Sequence, residues 1–190
     1  MISHDWGTTE AERAERFPHD LIGHDARQLL YRGVDVAAPA PVVFRWLCQL
    51  RAAPYSYDWI DNLGRRSPRE LSPGLNELQL GQPFMSIFRL AAFERDVALT
   101  LTTPPGSRGA RWFGVVNVTY WARAVGTDRT RLLAKLRVEY LRGAAGGLLR
   151  AFLPWGDLVM MRRQLLNLKS LAERTASELK REAYSHQEQP

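Results

Sequence analysis

The sequence predicts an α+β fold in which an antiparallel sheet packs on one long C-terminal helix, and three observations predict it. Apolar residues recur with period two across residues 84–141, the signature of strands. From Leu158 through Met161, Leu165 and Leu168 to Leu171 or Ala172 they recur at steps of three and four, the stripe of an amphipathic helix. Two short helical stretches follow the first strand, so the simplest packing is a strongly curved sheet wrapped around the last helix.

Residues 1–28 are polar and turn-rich, with Pro18 and Gly23. They read as an arm docked on the domain, because Trp6 and Phe17 would be poor choices for a free tail. His4 with Asp5, His19 with Asp20 and His24 with Asp25 invite a metal reading. Adjacent residues rarely point at one ion and these spacings suit no ligand pattern, so no metal site is expected. Residues 29–36 set Leu30, Arg32, Val34 and Val36 against Leu29, Tyr31, Gly33 and Asp35, a first strand. Pro41 suits a first helical turn, and Val42, Val43, Trp46, Leu47 and Leu50 give the helix its apolar face. Cys48 on it reads as a small buried hydrophobe.

Pro54 ends that helix and Tyr55-Ser56-Tyr57-Asp58-Trp59 follows. Two readings stay open here. Tyr55 and Trp59, one turn apart, bury one side of a short second helix ending at Gly64, or the stretch forms the polar end of a cavity with tyrosine hydroxyls and Asp58 as its hydrogen-bonding groups. Residues 65–82 are irregular, with room for short strands at 69–71 and 77–80. Residues 84–94 and 96–103 read as a hairpin, and 111–124 and 130–141 as two long strands. Trp112, Gly114, Val116, Val118 and Tyr120 share one face of the first, while Leu132, Ala134, Leu136 and Val138 oppose Arg131, Lys135 and Arg137 in the second. One sheet face is therefore apolar and the other charged, as in a sheet covered on one side. Gly114 and Ala134 are small where a solid core would place bulk, so cavity space is expected beside them. Pro154 predicts a break, with Asp157 as N-cap of a terminal helix about 35 Å long. The organisation is then an arm (1–28), a domain (29–182) and a polar, flexible tail (183–190).

At 190 residues with a net charge of +6 and the single Cys48, the chain can bury a core without disulfides. Its arginines are scattered, which favours a solvated basic surface over a nucleic-acid groove. No charged-then-apolar leader pattern opens the sequence, so a cytoplasmic location is expected. It has no dinucleotide fingerprint, P-loop, zinc-protease motif or nucleophile elbow.

The stretch Val34-Asp35-Val36-Ala37-Ala38-Pro39 leading into Val43-Phe44-Arg45-Trp46-Leu47, followed by a strand meander and a terminal helix, resembles the START-like or Bet v 1-like (SRPBCC) superfamily with its helix-grip fold. Trp6-Gly7-Thr8-Thr9, Pro18 with Asp20-Leu21, Tyr55 to Trp59 with Asn62-Leu63, and Gly156-Asp157 with Met160-Met161-Arg162 are similar to a bacterial branch labelled polyketide cyclase/dehydrase-like. The resemblance covers almost the whole chain. It implies an apolar cavity between sheet and terminal helix for a lipid, sterol-like or polyketide-like molecule, held as carrier or sensor, with no cofactor. The alternative is a cyclase/dehydrase-type enzyme using the Tyr and Asp groups of the same cavity; the resemblance transfers no catalytic residue, and Asp58, clustered with Tyr55 and Tyr57, is the candidate. Expected lining residues are Trp46, Tyr55, Tyr57, Asp58, Arg89, Trp112, Val116, Val118, Leu136 and Met161. The expected partner is the hydrophobic ligand, with no nucleic acid, no stable membrane insertion and at most transient membrane contact.

Overall fold

The computed structural model describes residues 3–22, 28–61, 64–139 and 144–187. Along the chain come β1 (Asp5–Trp6), α1 (Glu10–Ala14), β2 (Gln28–Val36), α2 (Ala40–Cys48) with a 3-10 turn at Gln49–Arg51, and α3 (Asp58–Asp61). Then follow β3 (Pro83–Phe84), β4 (Phe88–Glu94), β5 (Ala98–Thr102), α4 (Arg108–Phe113), β6 (Val115–Ala124), β7 (Thr130–Glu139) and α5 (Ala144–Gln187). The strands form one sheet in the order β1-β2-β7-β6-β5-β4-β3, antiparallel except where β1 lies beside β2. This is the helix-grip arrangement.

Alternation along each strand decides what faces α5. Leu30, Val34 and Val36 of β2, Leu132, Leu136 and Val138 of β7, and Val116, Val118 and Tyr120 of β6 share one buried core with Met161, Leu165, Leu168 and Ala172 of α5. Trp46, Leu47 and Leu50 complete it from the α2 side. Ala134 does not open a cavity, because its cross-strand partner is Tyr120 and both are buried. Gly114 is not in the strand. It ends α4 at φ 79°, a left-handed conformation that glycine adopts without strain.

The charged face of the sheet is covered too, which the alternation alone did not indicate. Phe17 is buried there, edge-on to Tyr31 at 6.0 Å and Trp121 at 5.3 Å. Lys135 Nζ donates to Asp20 at 2.8 Å, and Arg137 donates to the same carboxylate. Glu12 sits in a capping box with Thr9 and accepts from Arg131 Nε at 2.7 Å. That bond, more than any other contact, holds the Glu12 carboxyl down to about 2. Gly7 lies against Gly33 so closely that a Cβ on Gly7 would stand 2.2 Å from the Gly33 carbonyl oxygen. Only backbone fits between β1 and β2 at that point.

Several expectations need correction. Residues 69–71 and 77–80 are not strands, and the edge partner of β4 is β3. Residues 108–113 are helical because the Ser107 hydroxyl accepts from Ala110 N–H and starts a turn, so Trp112 lies on α4 and not on the apolar strand face. Pro154 does not break the last helix, which runs through it for 44 residues, about 66 Å. Asp157 is therefore inside the helix and not its N-cap. It reaches the sheet, where Arg32 Nη2 donates to it at 2.7 Å, and the same guanidinium donates to the carbonyls of Ser3, His4 and Tyr31. Tertiary contacts on both sides of the proline outweigh its local cost of about 3 kcal/mol. The helix continues to Gln187, past the expected start of the tail. His24 with Asp25, Asn62-Leu63, residues 140–141 of the expected last strand and residues 188–190 lie outside the described residues.

Burial pushes the Asp157 carboxyl up to about 6, only partly offset by Arg32. The folded chain then holds this proton more tightly than the unfolded one, so the group adds stability as pH falls from about 6 toward 3.8. Glu12 has the opposite sign. Its contribution is complete above its ordinary value of 4.5 and is lost as pH falls toward about 2. Glu12→Gln should lower stability near pH 7 and flatten the acid limb between those values, read by denaturant titration at several pH values. Arg32→Met, leaving a buried carboxylate unpaired, should cost about 3–5 kcal/mol at pH 7 and less at pH 5. Leu165→Ala should cost about 2–5 kcal/mol in the same assay, as expected for a fully buried position.

Candidate functional site

A cavity of about 310 Å³ lies between the segment after α2 and the face of α5 that points away from the core. Its walls are Tyr55 to Trp59 and Ser67 to Arg69 on one side, and Arg163, Asn167, Ser170, Leu171 and Arg174 on the other. Their spacing along α5 explains the grouping, since steps of three and four return to one helix face.

Gln164 is the residue that fixes this wall to the sheet. Its side-chain oxygen accepts from the Tyr120 hydroxyl at 2.6 Å, and its Nε2 donates to the Pro54 carbonyl at 2.6 Å. One helical turn on, Asn167 Nδ2 donates to the Tyr55 carbonyl at 2.7 Å. These bonds clamp the backbone where Tyr55 adopts φ 56°, a conformation that costs a non-glycine residue on the order of 1–3 kcal/mol. The Tyr55 ring packs edge-on to Trp46 at 6.1 Å, while its buried hydroxyl has no partner among the described residues. Burial first, and the Asp58 charge second, push this phenol up to about 12, so it stays neutral.

Asp58 closes the loop. Its carboxylate accepts from Ser67 N–H at 3.0 Å and from the Ser67 hydroxyl at 2.5 Å. Arg174 donates to the Arg69 carbonyl and lies 3.6 Å from Glu178, so its charge is partly answered. Arg69 and Arg163 have no carboxylate partner among the described residues. The site therefore offers the Tyr57 phenol, an amide, a hydroxyl and net positive charge around aromatic walls, with the Tyr55 hydroxyl shut off from solvent behind the wall.

The structure brings Tyr55, Tyr57 and Asp58 together in this cavity and separates them from the other expected lining residues. Val116, Val118, Leu136 and Met161 are packed in the core, and Trp46 is buried with Nε1 donating to Thr175 Oγ1 at 3.1 Å. Arg89 points outward from β4 and donates to the neighbouring Phe88 carbonyl. Trp112 is on α4. Sequence reasoning missed Gln164, Asn167, Arg163 and Arg174, although they follow the same helical period offset from the apolar stripe. It also missed the role of Arg32, a charged residue among the inward-facing Leu30, Val34 and Val36 of β2.

Replacing Gln164 by Leu strips a buried phenol and a backbone carbonyl of their partners, each worth about 1–3 kcal/mol when buried. The variant should be destabilised by at least that much and should be cut by protease between residues 54 and 69 sooner than wild type. Unchanged cleavage there would mean that Gln164 does not hold the wall.

No family model matches the sequence, and no curated protein matches it. Among solved structures, a Mesorhizobium loti protein is similar over 78% of this chain and 98% of its own, at 15% identity and a TM-score of 0.52. A hypothetical protein of Helicobacter pylori is similar over 84% and 96%, at 16% identity and a TM-score of 0.50. An aromatase/cyclase of a Streptomyces species is similar over 77% and 94%, at 16% identity and a TM-score of 0.45. The likeness is one of fold, the helix-grip fold.

Proposed function

We propose that this chain binds a hydrophobic small molecule of lipid-like, sterol-like or polyketide-like character, as carrier or sensor, and receives the ligand's polar end between residues 55–59 and α5. One observation carries the reading. The cavity of about 310 Å³ is walled in part by Tyr55, whose buried hydroxyl lacks a partner among the described residues. Leaving such a donor unpaired costs about 1–3 kcal/mol, which a ligand oxygen would recover once a shift of the wall residues opens the now closed hydroxyl to it. Because the phenol stays neutral to about 12, it offers its proton across the physiological range. Arg69 and Arg163 favour an acceptor that is anionic or strongly polarised, such as a carboxylate or ketone. Trp59, Pro68 and Leu171 give that end of the ligand apolar contact. The volume is at the small end of the roughly 300–1,000 Å³ of ligand pockets, so it suits a ring or head group and not a whole sterol. Both oxygens of Asp58 are engaged by Ser67, which supports a clasp over a catalytic base and so a binding protein over a cyclase.

Native mass spectrometry of the purified chain should show a co-purifying hydrophobic molecule. Its occupancy should drop roughly three- to tenfold in Tyr55→Phe or Tyr57→Phe, the loss of one hydrogen bond. No adduct, or one retained equally in both variants, would count against the proposal. Turnover of a polyketide-like substrate that disappears in Asp58→Asn would favour the enzyme instead.

A further inference from the structure

The outward face of α5 leading up to the cavity is apolar where a solvated helix would be charged. Phe152 is 70% exposed, Trp155 54%, Val159 51% and Leu166 37%. Their steps of three, four and seven residues keep them on one side of the helix, opposite Met161, Leu165 and Leu168, along about 21 Å of its length. Trp59, 75% exposed, lines the cavity together with Arg163 of α5. Isolated exposed hydrophobes are ordinary, but a phenylalanine, a tryptophan, a valine and a leucine in one stripe are not.

The charges beside the stripe have one sign. Between Phe152 and Leu171, α5 carries Arg162, Arg163 and Lys169 against the single carboxylate Asp157, and that carboxylate is taken by buried Arg32. Arg162 stacks over the Trp6 ring at 5.6 Å, and Arg163 lines the cavity. Lys169 leans to Glu173 at 3.5 Å, beyond the end of the stripe. The chain as a whole carries +6. An apolar stripe with a tryptophan in it and cations flanking it is complementary to an anionic bilayer surface, where the rings enter the head-group region and the cations meet lipid phosphate. A protein partner recognised by the same stripe would need no such charge bias.

We infer that the face formed by Phe152, Trp155, Val159 and Leu166, with Trp59 and the flanking Arg162 and Arg163, docks this protein reversibly on anionic lipid membranes. No helix among the described residues is long and apolar enough to cross a membrane, so the contact is with the surface. Phe152, Trp155, Val159 and Leu166 do not line the cavity, so their substitution tests the docking face apart from the ligand site, whereas Trp59 and Arg163 belong to both.

The test is co-sedimentation of the full chain with vesicles of equal parts phosphatidylglycerol and phosphatidylcholine, against vesicles of phosphatidylcholine alone. Binding to the anionic vesicles is expected at low salt, falling as ionic strength rises. Phe152→Ala with Trp155→Ala should weaken it by about tenfold or more, and Arg162→Glu should weaken it at low salt but less at high salt. Val159→Asp is the second variant should the double substitution fail to fold, which a thermal melt reads. Protein that stays in the supernatant with both vesicle types overturns the inference. So does binding that survives these substitutions, or concentration-dependent self-association that the same substitutions abolish while vesicles are ignored.

Discussion

Burial of one stripe of α5 by the inner face of the sheet is the contact on which everything else hangs. Leu165, Leu168 and Ala172 are fully buried against β2, β6, β7 and α2. With 3.6 residues per turn, fixing these positions also fixes where every other side chain of the helix points. Gln164 is carried to the edge of the core, where it meets Tyr120 and the Pro54 carbonyl. Asn167 arrives one turn later at Tyr55, and Thr175 two turns after that at Trp46. Removing apolar contact from the stripe would therefore loosen the cavity wall without touching it.

The cavity is a consequence of the same geometry. Among the described residues, Tyr120, Trp46 and Met161 share the core between sheet and helix, beside the small Ala134 that led to an expectation of cavity space there. The cavity described above is a gap on the outer side of the helix. The described residues of this segment, 55–61 and 64–69, lie over α5 there, held by Asn167 and Gln164 at one end and by Arg174 on the Arg69 carbonyl at the other, with Asp58 clasping Ser67 within the segment. The left-handed backbone at Tyr55 is the local cost of that arrangement, and its buried hydroxyl is the group left to be satisfied.

The sheet, the order of its strands' faces and the apolar stripe of α5 were legible because each repeats with a period that one or two exceptions do not disguise. Leu132, Ala134, Leu136 and Val138 oppose charged neighbours as cleanly in the structure as in the sequence. Trp112 was misassigned because it continues the strand's alternation by coincidence, while the turn is started by a hydroxyl cap at Ser107 and stopped by Gly114. The start of α5 was misplaced because proline penalises only its own turn, whereas the contact that keeps the helix going is a partner distant in sequence, Arg32. The segment from Tyr55 to Asp58 stood out by composition. Its opposite wall did not, since Arg163, Asn167 and Arg174 look like any solvated helix face until the chain that crosses them is in place.

The central claim is that ligand enters the cavity between residues 55–69 and α5, and not the interior of the grip. Backbone amide NMR during titration with an amphipathic anionic probe, 8-anilinonaphthalene-1-sulfonate, tests it directly. The account predicts saturable shifts at Tyr55 to Trp59, Ser67, Arg69 and Asn167 to Arg174. Shifts centred on Val116, Val118 and Leu136, with the segment 55–69 unmoved, would contradict it.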